Sequence, residues 1–184
     1  MKKRIIITVL AFLAMDACAL AQNVAVSTNI ADYANLGTIN AEASYALARH
    51  WSINAGLKYN PFVFGSGDSI VQSKQRSIAM GARFWPWHIY SGWWISGKVR
   101  YQEYNVGTSA AEYTAEGDRM GGSLAGGYSY MLNAHLNFEV GLGAWAGYDS
   151  YVRYSCPRCG RVVGEGSRFF FLPDDITVSF SYVF

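Results

Sequence analysis

Beyond residue 21 the chain has no apolar run approaching the ~20 residues of a membrane-spanning helix. A helical membrane protein is therefore excluded. There is little excess charge of either sign, with 15 Lys and Arg against 13 Asp and Glu in 184 residues. A nucleic-acid surface would show as a clustered excess of Lys and Arg, and none is present. Histidine and proline are both scarce, at three and four residues. His50, His88 and His135 all fall in short turns, which leaves the long connections without a histidine for a Ser–His nucleophile pair. Of the three cysteines, Cys18 lies near the amino terminus, and Cys156 and Cys159 form a single Cys-x-x-Cys with no second one to complete a tetrahedral metal site.

What the chain does have is aromatic residues (16%) and 19 glycines. Lys2-Lys3-Arg4, the apolar stretch from Ile5 to Ala14 and the small-x-small site Ala19-Leu20-Ala21 form the three regions of a secretory signal peptide over residues 1–21. Ala17-Cys18 offers a competing lipoprotein cleavage site, against which Asp16 and the better site three residues on both count. Cleavage after Ala21 leaves a formally neutral chain, 22–184, of one-domain length. A mean hydropathy of +0.06 suits a soluble protein, and equally a transmembrane barrel whose alternate residues face a polar lumen.

Two stretches repeat each other. Ser44-Tyr-Ala-Leu-Ala-Arg-His50-Trp-Ser-Ile-Asn-Ala-Gly56 matches Ser129-Tyr-Met-Leu-Asn-Ala-His135-Leu-Asn-Phe-Glu-Val-Gly141 at Ser, Tyr, Leu, His and Gly, and a looser copy surrounds His88. Each reads as strand, tight turn, strand, so three hairpins supply six strands. Val24–Ile30 and Ile176–Phe184 supply the first and the last. The expected limits are 23–31, 37–47, 51–61, 76–86, 92–103, 119–132, 136–148 and 175–184, most of them near the ~9–11 residues of a tilted transmembrane strand. Connections at His50, His88 and His135 are short; those at 62–75, 104–118 and 149–174 are long and rich in Gly, Ser, Asp and Glu.

Period-two alternation separates two faces. Leu57, Tyr59, Ile78, Met80, Phe84, Ile95, Val99, Tyr101, Leu124, Tyr128, Phe138, Val140 and Leu142 share one; Glu42, Asn54, Lys58, Arg83, Lys98, Arg100, Asn137 and Glu139 share the other. Enclosing the second set requires pairing, and Glu42 and Glu139 can meet the four cations, with Gly81, Gly121, Gly127, Gly141 and Gly143 making room. Tyr45, Tyr130, Trp51, Trp85, Trp87, Trp93 and Tyr182 gather near the short turns, as an aromatic girdle at a membrane interface does.

The fold class expected is thus all-β: an eight-stranded antiparallel transmembrane β-barrel. Such a chain resembles the small OmpA- and OmpX-like outer-membrane barrels, and its last strand, closing on Phe184, resembles the signal read by the barrel-assembly machinery. More narrowly, Asn29-Ile-Ala-Asp-Tyr33, the Gly37-to-Phe62 hairpin and Cys156-Pro-Arg-Cys-Gly160 resemble an uncharacterised Bacteroidota outer-membrane family, domain of unknown function 3575. That resemblance implies a fold and a cell outer-membrane location, with some members encoded near fimbrial genes. It supplies no catalytic residue.

Eight strands enclose too little space for a generous pore, so loops and outer surface carry the function. No cofactor is expected. Carboxylates such as Asp68, Glu103, Glu112, Glu116 and Asp118 are the acid–base candidates in and beside the long connections. Cys156 and Cys159, in a knuckle-type turn, form half a zinc site, with a partner protein, a second copy or carboxylates needed to finish it. Export through an oxidising compartment and the even count favour a local disulfide; free thiols are the third reading. The expected function is a non-enzymatic outer-membrane barrel, held by outer-membrane lipid, presenting 62–75, 104–118 and 149–174 to a surface or fimbrial protein partner in a structural, adhesion or assembly role. An outer-leaflet lipid-modifying enzyme and a soluble lipocalin-like barrel in the periplasm are the alternatives.

Overall fold

The computed structural model describes residues 23–65, 71–108, 114–155, 160–173 and 176–184. Its elements run β1 (Val24–Asn29), α1 (Ile30–Ala34), β2 (Ile39–Ala48), β3 (Trp51–Asn60), β4 (Val63–Phe64), β5 (Val71–Phe84), β6 (Gly92–Thr108), β7 (Thr114–Met131), β8 (Leu136–Tyr154), β9 (Val162–Leu172) and β10 (Thr177–Val183). All pairings given for these strands are antiparallel. In the order β1, β2, β3, β5, β6, β7, β8, β10 they return to β1, a closed ring of eight strands. Closure leaves the first and last strands of the ring no free edge along their shared register, from Ala25↔Val183 to Asn29↔Ser179.

The three short turns lie where the repeat puts them. At two, histidine explains the repetition: Trp85 N–H donates to the His50 carbonyl (2.9 Å) while His50 Nδ1 lies 2.8 Å from the Trp85 carbonyl, and His135 makes the same pair of contacts with Val183 (2.7 and 2.9 Å). Each turn is thereby sewn to the neighbouring strand.

The long connections differ from expectation. β6, β7 and β8 run for 17, 18 and 19 residues, so most of 104–118 is paired strand. Much of 149–174 is a hairpin of β8 and β9, in register from Trp145↔Leu172 to Arg153↔Gly164 and shifted by one residue at Tyr154↔Val162; 62–75 likewise gives β4 and the start of β5. Gly, Ser, Asp and Glu in these stretches suggested loops because they lack an apolar alternation, but strands standing clear of an apolar surface need none.

The alternation gives the expected two faces. Leu57, Met80, Ile95, Val99, Leu124 and Leu142 point outward and are exposed; Arg83, Asn54, Arg100, Asn137 and Glu139 are buried in the ring. Trp85 is a correction, for it turns inward and is fully buried, clustered with Trp94; Trp145 is buried as well, against Phe170. Gly127 and Gly141 face each other in register, and an added Cβ on either would fall 2.6–2.7 Å from the Trp94 ring, so these glycines make room for an indole rather than for a long charged chain.

Candidate functional site

The interior is a stack of paired charges and aromatics. Arg83 on β5 reaches Glu139 on β8 (2.8 Å) and Glu42 on β2 (3.2 Å), and Glu42 also accepts from Lys98 Nζ (2.6 Å) and Asn54 Nδ2 (2.7 Å). The Arg83 guanidinium lies 4.3 Å from the centre of the Trp94 ring, and that of Arg100 4.9 Å from Trp145. Pairing makes these buried ions tolerable; removing one member would strand the others. The unfilled space among Glu42, Lys58, Arg83, Lys98 and Arg100 is about 50 Å³. By volume it holds roughly one or two waters.

Toward the long strands lies a second centre, around fully buried Asp149. Its carboxylate accepts from Tyr104 Oη (2.7 Å) and Arg168 Nε (3.0 Å) and pairs with Arg119 Nε at 3.4 Å. Arg119 also stacks over the Tyr104 ring at 4.0 Å. Burial, reinforced by the Asp149 carboxylate, pushes the Tyr104 phenol up to about 12.

On the outer face the character of the strands changes between two adjacent rungs. Ile78, Tyr101, Met120, Tyr148 and Phe169 are aligned across β5 to β9; two residues further along, Arg76, Glu103, Asp118, Ser150 and Ser167 take their places. Beyond that boundary an open cleft of about 680 Å³ is lined by Tyr59, Lys74, Arg76, Glu103, Asn105, Glu116 and Asp118, among others. Two of its carboxylates are engaged, Glu103 with Arg76 and Glu116 with Asn105 Nδ2 (2.9 Å) and Tyr154 Oη (2.7 Å). The Glu116 bond, helped by burial, raises the Tyr154 phenol above its usual range. Of the other acid–base candidates, Asp68 and Glu112 lie outside the described residues, and so do Cys156 and Cys159. Ser155 N–H and the Arg161 carbonyl meet at 3.0 Å across the base of that cysteine segment.

Asn29-Ile-Ala-Asp-Tyr33 turns out to be a structural latch. Asn29 caps α1 through Ala31 N–H (3.2 Å), donates to the Ile176 carbonyl (2.8 Å) and accepts from Val178 N–H (2.9 Å). Asp32 reaches into the ring to Lys58 (2.7 Å), and Tyr33 Oη lies 2.9 Å from Thr28 Oγ1. A family model for proteins of unknown function, DUF3575, matches residues 5–184. The chain belongs to that family. Comparison with curated proteins found no match. Three of the five residues in this stretch, Asn29, Asp32 and Tyr33, have contacts that hold the helix against the ring, whereas the charge stack, which the face pattern anticipated, has both acidic members tied to named cations. The Asp149 centre was not anticipated, because Asp149 and Arg168 fall in a stretch that read as a loop.

Proposed function

We propose that this DUF3575 protein is an OmpA/OmpX-like outer-membrane β-barrel, non-enzymatic, that anchors a strand-built extension outside the cell for a structural, adhesion or assembly role. The observation that carries the reading is the inverted distribution of side chains: a closed ring whose exposed belt is apolar and whose interior is charged. A soluble protein rarely exposes a contiguous apolar patch beyond a few hundred Å². The lipocalin-like alternative calls for the opposite arrangement, with Leu and Phe inside.

The belt has bilayer dimensions. On β6 it runs from Trp93 to Tyr101, matching the ~9–11 residues of a tilted spanning strand, and ends where Glu103 replaces Tyr101 on the outer face. Tyr45, Trp51, Trp87, Trp93, Tyr130 and Tyr182 are all exposed at or near the short-turn end, where an aromatic girdle belongs. A stack that leaves about 50 Å³ open supports an anchor rather than a channel. The test is protease access: trypsin added to intact cells should cut within the extension, at Arg153, Arg161 or Arg168, while the belt stays protected. Cutting only after lysis would reverse the topology.

A further inference from the structure

The ring is closed by β1 and β10, but β9 is not part of that closure. β9 pairs along one edge with β8, and the strand order ends there: among the described residues no strand occupies its other edge. The latch explains why. Pairing along β1 stops at Asn29, whose side chain takes the Val178 N–H and the Ile176 carbonyl, and the chain then turns into α1. Above that level the wall has an open side bordered by an eleven-residue strand.

An edge of this kind has unpaired N–H and C=O groups and is a template for an added strand. Here leaving it open is costly. Phe169 and Phe171 on β9 are exposed in the apolar belt, at the level of Tyr148 and Ala146, and backbone polar groups facing lipid are unsatisfied. The hairpin also has a charge bias: over 145–172 the sequence carries Arg153, Arg158, Arg161 and Arg168 against Asp149 and Glu165, with Arg168 paired to Asp149. A second copy in the same membrane is a poor occupant. Its β9 would run in the same direction with inner and outer faces exchanged, so the outer Phe169–Phe171 surface would not continue across the seam.

We propose that β9 is an acceptor edge for an acidic, extended segment of a partner protein, which adds as a strand alongside Val162–Leu172 with its alternate apolar side chains continuing the Phe169–Phe171 surface. This deepens the anchor reading and rests on it for access to the edge from outside the cell; the edge itself can be probed without the membrane.

The test uses the mature protein folded in detergent micelles and three synthetic peptides of the length of β9: alternating Val and Glu, the same with Lys for Glu, and the Val–Glu peptide N-methylated at alternate residues. Binding is read by fluorescence anisotropy and by amide hydrogen exchange along β9. The Val–Glu peptide should bind and slow exchange at alternate β9 amides, the N-methylated peptide should lose binding, and Arg161→Glu should weaken it, since Arg161 is exposed and outside the β8–β9 ladder. Equal binding of the N-methylated peptide would overturn strand addition in favour of a charge contact. Equal binding of the Lys peptide would overturn the acidic partner. Absence of binding with β9 amides already as slow as those of β8, or concentration-dependent self-association that protects β9, would overturn the acceptor edge. Each of these failures leaves the membrane location untouched.

Discussion

Arg83 is the residue on which the interior turns. It joins two carboxylates from different strands of the ring and faces two buried indoles, so Arg83→Ala takes from buried Glu139 the cation it is bonded to. A loss of about 3–5 kcal/mol is expected, measured by urea unfolding in lipid vesicles, with Arg83→Met/Glu139→Leu recovering part of it. On the proposed reading, outward residues answer to lipid instead. Leu142 is 69% exposed in the belt, and Leu142→Arg should cost about 2–4 kcal/mol near the midplane. Tyr104 gives a pH dependence with a definite sign. Its phenol is raised in the folded protein, so the neutral form that donates to Asp149 is the stabilising one; the contribution is complete below the ordinary value of 10.0 and is lost as pH rises toward about 12. An alkaline titration of the folded protein should show this loss, and Tyr104→Phe should flatten it.

Elements show what was legible in the sequence and what was not. Period-two alternation is a local property, so the two faces, the three hairpins and the closing strand could be read from Leu57, Glu42, His135 or Phe180 and their neighbours. Strand ends could not. Past Tyr101 or Tyr148 polar and apolar residues mix on both faces, the alternation disappears, and only pairing with the adjacent strand, as in Glu116↔Val152, reveals that the strand continues. Trp85 was misplaced for a related reason: an indole near a turn suits an interface or a core equally, and its Nε1–H bond to Ser52 Oγ (3.1 Å) depends on a strand far away in sequence. Close approach between elements is likewise invisible in a single strand. An added Cβ at Gly141 would lie 2.7 Å from the Trp94 ring, so Gly141→Ala should destabilise by about 1–3 kcal/mol, and Trp94→Leu in the same chain should relieve most of that; a double-mutant unfolding cycle measures the coupling.

At the scale of the whole molecule, the ring and its extension divide the work. The strands are short on the β1–β3 side and long from β5 to β8, with β9 beside them, so on the proposed reading a partner would be held against one raised wall. Replacing Cys156 and Cys159 with Ser should leave the ring assembled, since the segment that contains them lies beyond the Ser155–Arg161 contact at the end of the β8–β9 ladder. The central claim is that the apolar belt faces lipid. Its most direct test is to fractionate cells, wash the membranes with high salt and follow the protein on gels with and without boiling. Retention in the outer membrane, with a shift in migration on boiling as a closed barrel unfolds, is the result expected. Recovery in the soluble periplasmic fraction, with one migration whether or not the sample is heated, would contradict it.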